Sequence, residues 1–528
     1  MGHIEKEKNG ISFEELKLKG RKGIQTVIYG RTLFVVLAFA VQIALMLSFY
    51  LYLREYSIFM HGLFAVLGTF VVLHLFNGGE NPDFKVVWML PILIFPVFGA
   101  MLYLFVRMQP GTRLMKKRLS ALSEQTKRYV LQEKETFDAL EREDSRTARF
   151  AGYMYRYGSC PVYDGTQAVY YPLGDLWFPA MMEELEKAEK FIFLEYFIVE
   201  EGVLWNAVLS VLKRKAKEGV EVRFLYDGTC ALALLPYFYP RLLQEDGIQC
   251  KMFSPIKPVL SSHYNNRDHR KILVVDGRTA FTGGTNLADE YINQKKRFGH
   301  WKDTAVMLRG KAVEKFTYLF LEMWNVDEKQ PEDYGRYRSQ ENGAAQDGYF
   351  IPYGVSPFGE ERIGKRVYLD ILNTARRYVH IMTPYLILDY ETMMALIYAA
   401  KRGIDVTIVM PHIPDKKPIF WLAKTYYNEL LDAGISIYEY TPGFVHAKVF
   451  VSDDEKAVVG TVNLDYRSLY HHFECGVMLY KNSEIAAIEA DFQETLMKCE
   501  AVSKADYARQ NLCKRIIGKA FRLFAPLL

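Results

Sequence analysis

The chain has 528 residues, 50% of them hydrophobic and 24% charged, with 66 Lys+Arg against 62 Asp+Glu. That composition excludes a disordered or collagen-like chain and a disulfide-stapled miniature, and the length predicts more than one domain. A formal charge of +4 argues against a nucleic-acid partner held by bulk electrostatics, and six scattered cysteines without a C-x-x-C pair read as reduced thiols.

A basic tail fills residues 1–31. A membrane region follows at 32–107, where three apolar runs, Thr32 to Leu53, Ile58 to Phe76 and Val86 to Val106, are each long enough to span hydrocarbon at roughly 20 residues per crossing. The first starts too far from Met1, and lacks the small-residue cleavage site, for a removed signal peptide. Basic residues crowd both flanks, before Thr32 and after Val106, so both read as cytoplasmic. Three crossings cannot satisfy that, so either one run is re-entrant or interfacial, or one flank breaks the rule. Ile58 to Phe76, which contains His61 and His74, is the weakest span. From Leu114 to Arg149 the chain lacks Gly and Pro, and 108–150 reads as a helical linker.

From Cys160 to about Lys498, helix-like and strand-like segments alternate in two rounds, an α/β pattern that predicts a first domain at 151–340 and a second at 341–500. The rounds are copies. His269, Lys271, Asp276, Gly283 and Asn286 recur as His446, Lys448, Asp453, Gly460 and Asn463, each 177 positions further on. In HRKILVVDG and VHAKVFVSDD the His and Lys stand two apart in a strand-like run, so they share a face. The runs meet turns at Asp276-Gly277 and Asp453-Asp454 and return as TAFTGG and KAVVG. A simple hairpin centred after Gly277 sets Asn286 opposite His269, and one centred after Asp454 sets Asn463 opposite His446. The last segment, 501–528, reads as a basic amphipathic helix: Leu512, Ile516, Ala520, Phe521, Phe524 and Leu527 recur at helical spacing among Lys514, Arg515, Lys519 and Arg522, a pattern suited to anionic lipid.

Two sets of His, Lys and Asn converging across a pseudo-twofold make a site for a tetrahedral anion. Imidazole serves as nucleophile, imidazolium as proton donor, and ammonium and amide as clamps, which matches phosphodiester chemistry. One imidazole must start neutral and its twin protonated, which an ordinary pKa of about 6.5 permits. The lysines carry the charge stabilisation, so no metal or other cofactor is expected.

The motif H-x-K-x(4)-D-x(6)-G-x(2)-N, present twice, resembles the signature of the phospholipase D superfamily. NNRDHRKILVVDGRTAFTGGTNLADEYIN, TPYLIL and FVHAKVFVSDDEKAVVGTVNLDYRS are similar to its bacterial cardiolipin synthase branch, and NPDFKVVWMLPILIFPVFGAMLYLF is similar to that branch's second N-terminal helix. The resemblance implies an α/β fold of two pseudo-symmetric phospholipase D-like αβα repeats, with the active site at their interface and an α-helical transmembrane region before them. It implies that His269 forms a phosphohistidine and that His446 acts as general acid and then base, although the sequence leaves the reverse assignment open. Lys271, Lys448, Asn286 and Asn463 would hold the phosphate. An acidic residue downstream of each motif orients the His in this family, and Asp303 and Glu474 match. Asp276 and Asp453 complete the catalytic motif but read as turn or scaffold groups, and Tyr385 and Arg467 as pocket or scaffold residues. The chain departs from the branch at Thr461-Val462, where a Ser-small pair is common, and at His471-His472, where Asn often precedes Phe-Glu.

The activity so implied is transfer between two phosphatidylglycerol molecules to give cardiolipin and glycerol. The implied partners are phosphatidylglycerol, other anionic lipid and the membrane, without nucleic acid; the implied place is a bacterial cell membrane, multi-pass, with the catalytic body cytoplasmic. The alternatives are a hydrolase, a phosphatidyltransferase using another alcohol, a superfamily nuclease, and a non-catalytic lipid-binding scaffold. The sequence does not give the oligomeric state.

Overall fold

In β2 (Phe191–Tyr196) every residue is buried, and the alternation says against what. Ile192 and Leu194 join a core with Trp177, Met181, Leu185, Trp205 and Val208, while Phe191 and Phe193 join a second core containing Val451, Val459 and Val477 of the other repeat. A strand apolar on both faces belongs in the middle of a layered α/β structure. The second repeat does the same: Val458 points to an outer core with Val367, Leu396 and Leu430, and Ala457 and Val459 point to the shared one. Burying each such side chain contributes roughly 1.5–3 kcal/mol.

The computed structural model describes residues 44, 57–79, 81–107, 110–255, 265–328, 330, 332–338, 345 and 347–527. The basic tail and, apart from residue 44, the run Thr32 to Leu53 lie outside the described residues. The first repeat contains β1 (Thr166–Tyr171), β2, β3 (Glu221–Asp227), β4 (Gln249–Phe253), β5 (Ile272–Val275), β6 (Thr279–Gly283), β7 (His300–Lys302) and β8 (Ala305–Gly310). All but β7 form one sheet in the order β1-β8-β6-β5-β2-β3-β4. The second contains β9 (Tyr349–Val355), β10 (Tyr378–Met382), β11 (Asp405–Pro411), β12 (Ser436–Tyr440), β13 (Gly443–Val445), β14 (Val449–Ser452), β15 (Lys456–Gly460), β16 (Glu474–Tyr480) and β17 (Cys499–Ala501). Its sheet runs β17-β12-β11-β10-β14-β15-β16-β9, the first sheet's order with one added edge strand. In each, three parallel strands (β2-β3-β4 and β10-β11-β12) are followed by antiparallel ones. The remaining pair, β13 with β7, is parallel and ties one repeat to the other.

The motif hairpins differ from the expected register by one residue. Ile272 pairs with Thr282 and Val275 with Thr279, and in the second copy Val449 pairs with Val459 and Ser452 with Lys456. Three residues form each turn, not two. Asp276 (φ 53) and Gly277 (φ 68), like Asp453 (φ 58) and Asp454 (φ 59), take left-handed conformations, and Arg278 or Glu455 is the additional residue. The expected pairing of His269 with Asn286 and of His446 with Asn463 is therefore corrected; the histidines precede β5 and β14 and bond to the opposite repeat.

Among the described residues no helix is long and apolar enough to cross a membrane. Ile58 to Phe76 is a helix, Ser57–Asn77, with Phe59, Leu63, Val66, Phe70, Leu73 and Phe76 exposed. Val86 to Val106 is not the single span expected. It breaks at Phe95 into Pro82–Ile94 and Pro96–Arg107. Pro91 and Pro96 cannot donate into a continuous helix, and the chain folds back so that the Trp88 and Tyr103 rings meet at 5.6 Å. At about 1.5 Å per residue, neither arm reaches the roughly 30 Å of hydrocarbon.

The linker is not one helix either. It forms Pro110–Thr126, Lys134–Glu143 and Ser145–Gly158, with Leu140, Ala148, Ala151 and Met154 in the second repeat's outer core. At the other end, Leu512–Leu523 packs on Lys417–Asp432, where the Arg522 guanidinium lies 4.3 Å from the centre of the Tyr426 ring and bonds Glu429 at 2.7 Å, leaving Leu512, Ile516 and Phe524 exposed.

Candidate active site

The two histidine segments are held by main-chain bonds that cross between repeats. The His269 N–H donates to the Phe473 carbonyl at 2.9 Å, and the His446 N–H donates to the Lys302 carbonyl at 2.7 Å. Phe473 immediately precedes Glu474, and Lys302 precedes Asp303. Each crossing therefore delivers one repeat's carboxylate to the other repeat's imidazole. His269 Nδ1 lies 2.9 Å from Glu474 Oε2 and 3.0 Å from Oε1, and His446 Nδ1 lies 2.6 Å from Asp303 Oδ2. With Nδ1–H donated to a carboxylate, the Nε2 lone pair of each neutral ring is free for chemistry. The sequence matched Asp303 and Glu474 to their histidines by motif; the structure pairs them crosswise.

The carboxylates are themselves held. The Thr461 hydroxyl donates to Glu474 Oε2, the Ser468 hydroxyl donates to Oε1 at 2.7 Å, and Asp303 Oδ1 accepts the Thr304 N–H at 2.9 Å. Lys271 Nζ donates to the His269 carbonyl at 2.6 Å, and Lys448 Nζ donates to the His446 carbonyl while lying 2.9 Å from His446 Nδ1. Because Asp303 takes the Nδ1 proton, that last approach is a charge facing a ring edge. The two asparagines differ. Asn286 donates to the Tyr291 hydroxyl at 2.7 Å and accepts the Ile198 N–H at 3.0 Å, whereas the buried Asn463 Oδ1 finds no hydrogen-bond partner.

Burial dominates the electrostatics. It pushes His446 down to about 4, helped by the Lys448 charge and resisted by Asp303. Burial and then Lys271 and Lys448 hold His269 well below its usual value. The same desolvation lowers Lys271 to about 8 and Lys448 to about 7. Against the ordinary values expected from the sequence, burial favours the neutral form of both imidazoles in the absence of an anion, and it lowers both lysines as well.

Asp276 and Asp453 do other work. Asp276 accepts the N–H groups of Glu189, Lys190 and Phe191 at 2.9, 2.7 and 2.8 Å, and Asp453 those of Arg376, Arg377 and Tyr378 at 2.8, 2.8 and 3.1 Å. Both carboxylates pin the start of a central strand to the motif hairpin. The Tyr385 hydroxyl is committed to Asp415 at 2.6 Å.

Sequence reasoning missed the walls of the site. Phe197 stands edge-on to His269 with ring centres 4.9 Å apart, and Tyr291, Trp301 and Phe444 surround His446 at 5.5, 5.4 and 5.8 Å. Sequence reasoning also missed a charged layer beneath: Arg270 lies 3.8 Å from Glu195, whose carboxyl, with that of Asp268, burial drives toward the neutral form.

The family model described as "Cardiolipin synthase, PLD-like domain" matches residues 181–324 and 368–496, and one described as "Phospholipase_D-nuclease N-terminal" matches 66–107. The chain is 49% identical over 458 residues to an uncharacterized protein of Streptococcus mutans, covering 87% of this chain and 99% of that one. It is 32% identical over 469 residues to cardiolipin synthase 2 of Bacillus anthracis, covering 88% and 91%. Among solved structures, phosphatidylserine synthase of Haemophilus influenzae superimposes with a TM-score of 0.52 at 14% identity, over 68% of this chain and 93% of that one, a likeness of fold. On the family match and the relatives together, the chain belongs to the cardiolipin synthase family of phospholipase D-like proteins.

Proposed function

We propose that the protein is a membrane-attached phosphatidyltransferase that joins two phosphatidylglycerol molecules into cardiolipin and glycerol. The observation that carries this reading is the pair of histidines whose Nδ1 atoms are each tied to a carboxylate of the opposite repeat, in a chain of this family.

His269 Nε2 attacks the phosphorus of the first lipid, and the P–O bond to its headgroup glycerol breaks. His446 gives its Nε2 proton to the departing oxygen. The anionic phosphate, once beside it, supplies the negative charge that brings this buried imidazole back toward its protonated form. In the second half, His446 takes the proton of a glycerol hydroxyl on the second lipid. That oxygen attacks phosphorus and frees His269. Lys271, Lys448 and the side-chain N–H group of Asn463 serve the phosphate oxygens. Synthesis needs an alcohol to win over water at the covalent stage, and the wall of Phe197, Tyr291, Trp301 and Phe444 favours that outcome.

Attachment follows the apolar surfaces. The exposed face of Ser57–Asn77, with Leu93, Ile94 and Leu104 of the helical hairpin, lies in lipid. The basic residues that follow Val106 and the exposed edge of Leu512–Leu523 meet anionic headgroups on the cytoplasmic side.

The covalent stage is tested by mixing enzyme with phosphatidylglycerol labelled in the phosphate and quenching within one turnover. Label on a peptide containing His269, absent in His269→Ala and accumulating in His446→Ala, is the expected result; label on the His446 peptide reverses the two roles, and no protein-bound label overturns the covalent mechanism.

A further inference from the structure

The pseudo-twofold that repeats the catalytic residues is broken beside His269. Trp301 precedes Lys302, whose carbonyl receives the His446 N–H. The equivalent position, before Phe473, holds His472. Trp301 packs on His446 with ring centres 5.4 Å apart, and His472 packs on His269 at 5.6 Å. One catalytic pocket thus has an indole wall and the other a third imidazole. That imidazole is buried, its Nε2 has no hydrogen-bond partner, and its Nδ1 lies 3.8 Å from Glu474 Oε1.

Donor atoms of His269, His472 and Glu474 all lie within 4.8 Å of one another. Bonds of about 2.0–2.2 Å to nitrogen and oxygen in a tetrahedral zinc site put neighbouring donors roughly 3.3 Å apart. The separations of 3.0 Å from His269 Nδ1 and 3.8 Å from His472 Nδ1, both to Glu474 Oε1, bracket that value. We propose that His269, His472 and Glu474 form an inhibitory site for a zinc-class divalent cation. Two imidazoles and one carboxylate with an open fourth position suit a borderline ion. The Lys271 and Lys448 ammoniums oppose any cation here, which disfavours hard ions such as magnesium that gain little from imidazole.

Inhibition follows from the tautomer. In the reactive form His269 Nδ1 carries the proton shared with Glu474, and the Nε2 lone pair faces the phosphorus. A cation on Nδ1 requires that proton on Nε2, so no lone pair remains for attack. The cation also takes the carboxylate that orients the ring.

The test uses the full chain in detergent, with cobalt(II) as a spectroscopic probe and zinc chloride as inhibitor. Wild type is expected to give the visible absorption of tetrahedral cobalt with no lipid present, so binding is read apart from turnover and apart from the assigned reaction. His472→Asn should lose it, while His471→Asn should keep it, because His471 Nε2 is bonded to the Pro526 carbonyl instead. Zinc should stop phosphatidylglycerol turnover in wild type, reversibly with chelator. Normalised to each variant's zinc-free rate, half-inhibition should need about 10-fold to 100-fold more zinc in His472→Asn. Absence of the tetrahedral cobalt spectrum in wild type, or equal zinc sensitivity in the two proteins, overturns the proposal.

Discussion

Glu474 of the second repeat accepts from His269 of the first at 2.9 Å, and Asp303 of the first accepts from His446 of the second at 2.6 Å. Neither repeat therefore supplies its own motif histidine with its carboxylate, which is a physical reason for the two halves to stay on one chain. Replacing Glu474 with Gln keeps the shape but removes the charge that fixes the His269 tautomer. The turnover rate should fall about 100-fold to 10,000-fold, with binding to phosphatidylglycerol vesicles retained. A fall of less than tenfold in steady-state kinetics would remove Glu474 from the mechanism.

Gly284 gives the same logic a steric form. A Cβ built there would overlap Asp303 Oδ1, the oxygen that accepts the Thr304 N–H. Gly284→Ala should displace Asp303 from His446 and lower the turnover rate toward that of Asp303→Asn, with a smaller effect on KM. Unchanged kinetics in a folded variant would mean that the carboxylate can move without consequence.

The pH profile tests the electrostatics. His446 is lowered to about 4 and His269 well below its usual value, so the neutral, attacking form is favoured further into the acid side than for an ordinary histidine. Lys448 and Lys271 are lowered to about 7 and about 8, so the clamp loses its charge as pH rises through that range. The value of kcat/KM should therefore decline between roughly pH 7 and 8. Lys448→Arg, whose charge does not titrate there, should move that decline upward. A profile flat to pH 9 in wild type would contradict the assignment.

Asp276 should behave as a structural residue. Three backbone N–H groups depend on its buried carboxylate, and Asp276→Ala leaves them without a partner, a loss of roughly 2–4 kcal/mol. Thermal or denaturant unfolding should register it, while activity per folded molecule stays close to wild type.

Membrane attachment rests on exposed aromatic and aliphatic groups in Ser57–Asn77. Phe59 is 77% exposed and Phe70 is 70% exposed. Changing both to Ser should weaken vesicle association at least about tenfold in flotation, at little cost to the rate on a short-chain soluble lipid. Equal flotation would assign attachment to other segments.

The duplication was legible because His269, Lys271 and Asn286 recur at one offset as His446, Lys448 and Asn463, which leaves the same spacing in both halves. The α/β alternation was legible from strand runs such as FIFLEYFIV. The register was not, because Asp276-Gly277 suits two-residue and three-residue turns alike, and only the ladder shows Arg278 to be additional. The crossing of Asp303 and Glu474 was hidden because it depends on how two copies of one fold face each other. The break at Phe95 was announced by Pro91 and Pro96, but hydropathy outweighed them. The meaning of His472 emerged only when it could be set against Trp301 across the pseudo-twofold.

The most direct test of the central claim is the lipid product profile of the purified protein on phosphatidylglycerol vesicles without added metal, wild type beside His269→Ala. Cardiolipin and free glycerol in equal amounts, both lost in the variant, is the predicted result. Phosphatidic acid as the main wild-type product, or cardiolipin formation that survives loss of His269, would contradict it.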